Sequence, residues 1–156
     1  MNLADVDNWH SDWAWSLPLV VLNVLIHVFG LVYVSERATP ALSAALVHRS
    51  FVTMFTIVIG VTALLATVLL AFEAAIWAAA YRFLGALPNF KSAMLYSLSA
   101  ITSFGHANLS LEPQWQLMGA LEALNGMLLF GLTTAFLFAI IQKVLSLRSR
   151  RKPSKV

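Results

Sequence analysis

The sequence predicts an all-α membrane protein with three transmembrane helices and a re-entrant segment between the second and third. Three observations carry that prediction. Of the 156 residues, 60% are hydrophobic and only 11% are charged, at a mean hydropathy of +0.79. Soluble domains usually hold about a quarter charged residues and under half apolar ones. Three long apolar stretches recur along the chain, each able to span ~30 Å of hydrocarbon as a helix. Between the last two lies a segment of different character, residues 86–114, rich in Ser, Asn, Gly and Pro.

The elements follow in order. Residues 1–16 read as an extracytoplasmic tail, acidic through Asp5, Asp7 and Asp12 and without the basic start of a signal peptide, hence part of the mature protein. Residues 17–35 form the first span, apolar apart from Asn23 and His27. Residues 36–50 form a cytoplasmic loop with Arg37 and Arg49, in which Thr39 to His48 has the makings of a short surface helix. The second span covers 51–84, with Glu73 and Arg82 towards its far end. The run 91–101 is helix-like but too short to cross a bilayer, and polar backbone follows it at 102–108. Such backbone is tolerated at membrane depth only where protein covers it or water lines it. The third span covers 115–144, with Glu122 near its start, and 145–156 is a basic tail.

Positive charge sets the orientation. Lys143, Arg148, Arg150, Arg151, Lys152 and Lys155 place the C-terminus in the cytoplasm, and three crossings then put the N-terminus outside. Trp9, Trp13, Trp15, Trp77, Tyr81 and Trp115 fall together near the outer interface, as an aromatic belt does. The expected location is the cell (inner) membrane. The net charge of +3 sits at one end, which points to anionic lipid heads at Arg148, Arg150, Arg151 and Lys152 and not to nucleic acid. The chain has no cysteine, so disulfides, zinc-thiolate sites, iron–sulfur clusters and thiol catalysis are excluded.

The informative stretch runs from Ser97 to Asn108, Ser-Leu-Ser-Ala-Ile-Thr-Ser-Phe-Gly-His-Ala-Asn. It resembles the pore loop of tetrameric potassium channels, whose filter reads Thr-Val-Gly-Tyr-Gly-Asp after a short pore helix. Aligned without a gap, Ser103 takes the filter threonine, Phe104 the valine, Gly105 the first glycine, His106 the tyrosine, Ala107 the second glycine and Asn108 the aspartate. Thr102 matches the threonine that commonly precedes the filter. The run Gly126-Met-Leu-Leu-Phe-Gly-Leu-Thr-Thr-Ala135 resembles the inner helix of the same family at the separation that family shows. The resemblance covers residues 66–143, and the first span has no counterpart in the two-span members.

The resemblance implies a pore domain over 51–144, with outer helix 51–84, pore helix 91–101, filter 102–108 and inner helix 115–144. It implies a homotetramer that passively conducts monovalent cations, potassium or sodium, with no enzymatic activity and no cofactor. Thr102, Ser103, Phe104, Gly105, His106, Ala107 and Asn108 would be the conduction filter, Gly126 the gating hinge, and Thr133 and Thr134 cavity lining. Backbone carbonyl rings replace a cation's water, so four copies must close each ring. The C-terminal end of the pore helix, partly negative, would favour a cation below the filter. The motif also departs from the family. A left-handed Ala107 would cost ~1–2 kcal/mol per subunit where glycine costs nothing. Asn108 removes the mouth carboxylate, and Ser99 stands where many members place a bracing glutamate. Pore architecture carries over; strict potassium selectivity does not.

Other readings stay open beside this one. A channel-like but non-conducting structural or interaction protein would keep the same fold. His27 and His106 are also the two histidines a haem-binding redox or sensory protein would use. His27 otherwise bonds Asn23 or a neighbouring helix, and Glu73 and Glu122 contact Arg82, Lys91 or the short helix's backbone. His106 either senses pH or packs as the family's tyrosine does.

Overall fold

A computed structural model describes residues 3–45, 48–105 and 109–151, with side chains over 9–44, 48–105 and 109–146. Most of the described residues are helical and none of them forms a strand. Helix α1 covers Leu3–Tyr33, a π-helical turn Val34–Ala38 and a short α2 at Thr39–Ala45 continue it, and α3 spans Phe51–Phe83. Helix α4 is Phe90–Ile101, a 3₁₀ turn spans Pro113–Trp115, and α5 runs Gln116–Arg151. Three helical stretches, Trp9–Ala44, Phe51–Phe83 and Pro113–Ser146, are long and apolar enough to cross a membrane. Helix α4 has 12 residues and reaches about 18 Å, short of a bilayer's hydrocarbon.

Two departures from the sequence reading matter. Helix α1 starts at Leu3, so most of the segment read as an N-terminal tail is helical. Asp12, Ser16, Asn23 and His27 recur at helical spacing on one face of α1 and are all buried. Pro18 lies inside this helix on an exposed position. It removes one backbone donor, a defect that membrane helices tolerate when neighbours re-satisfy the freed carbonyl. In the segment read as a loop at 36–50, the short helix expected from Thr39 is present as Thr39–Ala45, but it continues α1 through the π-turn, which Thr39 closes by donating its hydroxyl to the Val34 carbonyl at 3.0 Å.

The chain forms two compact units. One comprises Met1–His27 with Leu69–Phe130. Its core holds Ala74, Trp77, Ala78 and Tyr81 of α3, Ala93 and Ile101 of α4, and Met118 of α5. Alanines at 74, 78 and 93 let helix backbones approach, the packing mode of membrane helices. The other unit comprises Val28–Val68 with Gly131–Val156. There Met54 and Val58 of α3 pack with Ile140 and Val144 of α5, each pair one turn apart on its helix.

Two caps define the segment that carries the candidate site. Helix α3 ends on Gly85 at φ 70°, with Ala86 N–H donating to Tyr81 O at 3.0 Å and Gly85 N–H to Arg82 O at 3.4 Å. That pair of bonds is a Schellman motif, whose left-handed residue is cheapest as glycine. Helix α4 starts at Asn89, whose side-chain carbonyl accepts the Ser92 N–H at 2.8 Å. Replacing Asn89 with alanine is expected to cost about 1 kcal/mol. Unfolding of the variant in detergent checks this, and an unchanged midpoint would show that the cap contributes nothing.

Candidate functional site

The site lies in the first unit, where α4 ends and the chain turns. Helix α4 closes with a second Schellman motif: Ser103 N–H donates to Ala100 O at 2.9 Å, and Phe104 N–H donates to Ser99 O at 2.9 Å. Gly105 N–H reaches the same Ser99 carbonyl at 3.4 Å. The left-handed residue is Ser103, at φ 54°, the one non-glycine with positive φ among the described residues. A side chain in that conformation costs about 1–2 kcal/mol, and such outliers gather at functional sites. Gly105 follows at φ 72°.

These caps turn the loop's amides back onto the helix. Among the described residues, no backbone amide donates to the carbonyls of Thr102, Ser103, Phe104 or Gly105. The four residues are exposed, Phe104 to 85%. The Thr102 hydroxyl is occupied, donating to Leu98 O at 2.6 Å. A cleft of about 480 Å³ borders the loop, lined by Ser99, Ser103, Gly105, Leu109, Gly119 and Ala123 among others.

Side chains fasten α4 to α3 and α5. The Ser97 hydroxyl, fully buried, sits 2.7 Å from the Ala74 carbonyl of α3 and also contacts Oε1 of Glu122 on α5. Tyr81 of α3 donates its hydroxyl to Oε2 of Glu122 at 2.7 Å. The Tyr96 ring meets the Tyr81 ring edge-on at 5.4 Å between centroids, a favoured aromatic geometry. One carboxyl thus ties the short helix to both long helices.

Gly126 lies inside the unbroken α5, against the end of α4. A Cβ there would strike the Ile101 carbonyl oxygen and stand 2.7 Å from the Ile101 carbonyl carbon and Cα. The missing side chain serves close packing of α5 on the last turn of α4. Thr133 is half-buried and Thr134 exposed; both belong to the second unit. His106, Ala107 and Asn108 lie outside the described residues, as do Lys152 and the side chains of Arg148, Arg150 and Arg151.

His27 and Glu73 pair with each other. His27 Nδ1 lies 3.0 Å and 3.2 Å from the two oxygens of Glu73, with both side chains fully buried. The expected partners were different: Glu73 meets a histidine of α1 and not Arg82 or Lys91, while Glu122 meets two side-chain hydroxyls and not the helix backbone. Sequence reasoning passed over Tyr81 and Ser97 as binding partners. The available signal was Glu122 itself, since an acidic residue within a span demands a partner. Among the described residues no three His, Asp or Glu side chains gather as metal ligands. No protein-family model, curated protein or solved structure matches this chain.

Proposed function

We propose that this chain is a subunit of a passive cation channel, in which residues 86–114 re-enter the membrane between α3 and α5 and four copies close a pore. The observation that supports it most is the loop after α4. Ser103 and Gly105 adopt left-handed backbone around Phe104, their amides fold back onto the helix end, and no backbone amide among the described residues donates to the carbonyls of 102–105. Exposed carbonyl oxygens at the end of a short helix are the ligands that replace a monovalent cation's water. Beyond Thr102, the residues Ser103, Phe104, Gly105 and His106 would present those oxygens, with the Ser103 hydroxyl closing the inner end and Ala107 and Asn108 forming the mouth. In this reading the permeant ions are potassium and sodium, Gly126 is where the inner helix bends, and Thr133 and Thr134 line the cavity. The N-terminus is outside and the basic C-terminus in the cytoplasm, against anionic lipid heads.

Cation uptake into liposomes holding the purified tetramer tests the proposal. Potassium and sodium are expected to enter at comparable rates while a large organic cation is excluded. Potassium uptake alone would mean that the loop is selective despite Ala107. A verified tetramer that passes none of the three would overturn the channel reading in favour of a non-conducting relative with a structural role.

A further inference from the structure

The hydrogen bonds around Glu122 do not balance unless that residue supplies a proton. The Ser97 hydroxyl has one proton and faces two oxygens, the Ala74 carbonyl at 2.7 Å and Glu122 Oε1. If Ser97 donates to Glu122, it meets the Ala74 carbonyl oxygen with no proton between them. If it donates to Ala74, its contact with Glu122 is the unprotonated one. The Tyr81 proton is already committed to the other carboxyl oxygen, at 2.7 Å. A proton on Oε1 satisfies every contact: Glu122 donates to Ser97, Ser97 donates to Ala74, and Tyr81 donates to Glu122. The surroundings agree. Glu122 is fully buried, and among the described residues no Lys, Arg or His comes within ion-pairing distance of it. The titratable groups facing it are Tyr81 of α3 and Tyr96 of α4, with Asp12 of α1 close enough to act on Tyr81. None is a cation. An ionised carboxylate so placed would lack the charged partner that burial demands.

We propose that Glu122 is held as a neutral carboxylic acid whose proton fastens α4 to α3 and α5 through Ser97. Its bearing on conduction rests on the channel reading, because α4 carries the loop at 102–105; the protonation does not rest on it. Glutamine at 122 reproduces the pattern, with an amide N–H for Ser97 and a carbonyl oxygen for Tyr81.

Infrared spectra of the purified full-length protein in lipid decide the matter. Wild type is expected to show a protonated-carboxyl carbonyl band that disappears in Glu122→Gln and moves to higher frequency in Ser97→Ala, which removes the hydrogen-bond acceptor. Loss of carboxylate bands instead in Glu122→Gln, or a band indifferent to Ser97→Ala, would overturn the proposal. The Ser97→Ala arm decides the question even if Glu122→Gln does not fold. A liposome preparation that passes no cation yet keeps the band overturns the channel reading alone.

Discussion

Replacing Gly126 with alanine is expected to destabilise the protein by about 1–3 kcal/mol, the range for forcing extra atoms into a packed interior. The new methyl would meet the Ile101 carbonyl group and Cα, all backbone atoms that cannot rotate aside. Relief therefore requires α5 to move away from the last turn of α4. Gly131 is the internal control. It lies on the same helix with nothing within 4 Å of an added Cβ. There alanine is expected to stabilise by about 0.5–1 kcal/mol, because glycine is a poor helix former. Opposite signs at two glycines five positions apart would separate packing from helix propensity. Equal effects would show that the Ile101 contact is inconsequential. The same pair bears on gating. If Gly126 acts as a bend, alanine there should alter channel opening in protein that remains assembled; if it acts as a packing site, stability falls first.

The contrast between α3 and α1 shows what the sequence made legible. Helix α3 runs Phe51–Phe83, and its limits follow from hydropathy because the segment is apolar apart from Glu73 and Arg82 near its far end. Helix α1 begins at Leu3, well before its apolar stretch, and hydropathy is blind there. Its polar positions Asp12, Ser16, Asn23 and His27 were visible as residues but not as one buried face, because the acidic start argued for an aqueous tail. The short helix was legible as a run at 91–101, too short to span and set among polar residues, and α4 covers Phe90–Ile101. The turn beyond it was not. Ser103 takes a left-handed conformation that serine rarely adopts, so no residue preference announces the turn. Pairings between elements were out of reach for another reason. Tyr81 and Glu122 are 41 residues apart, and His27 and Glu73 46 apart. The antiparallel register that brings each pair level depends on packing across several helices, which periodicity along one chain does not encode.

Removing one member of the His27–Glu73 pair is expected to be the most damaging single change in the first unit. His27→Leu strips a fully buried carboxyl of its partner, with a cost on the order of 3–5 kcal/mol when a buried pair is broken on one side. Glu73→Leu should cost less, about 1–3 kcal/mol, because it removes the carboxyl that accepts from the imidazole and leaves no buried carboxyl unpartnered. The double Leu variant is expected to recover much of the loss, since two apolar side chains replace two groups that needed each other. Unfolding of the four proteins in mixed micelles gives the coupling energy directly, and a value of about 0.5–3 kcal/mol is expected. Strict additivity would show that the pair is a geometric coincidence. The cycle also reports on the first helix as part of the site. Glu73 is bonded in sequence to Ala74, whose carbonyl receives Ser97, so a disturbance at His27 has one peptide unit to cross before it reaches the anchorage of α4. If that route transmits, His27→Leu should weaken hydrogen-exchange protection of α4 amides more than an equally destabilising change in the second unit, such as Val58→Ala.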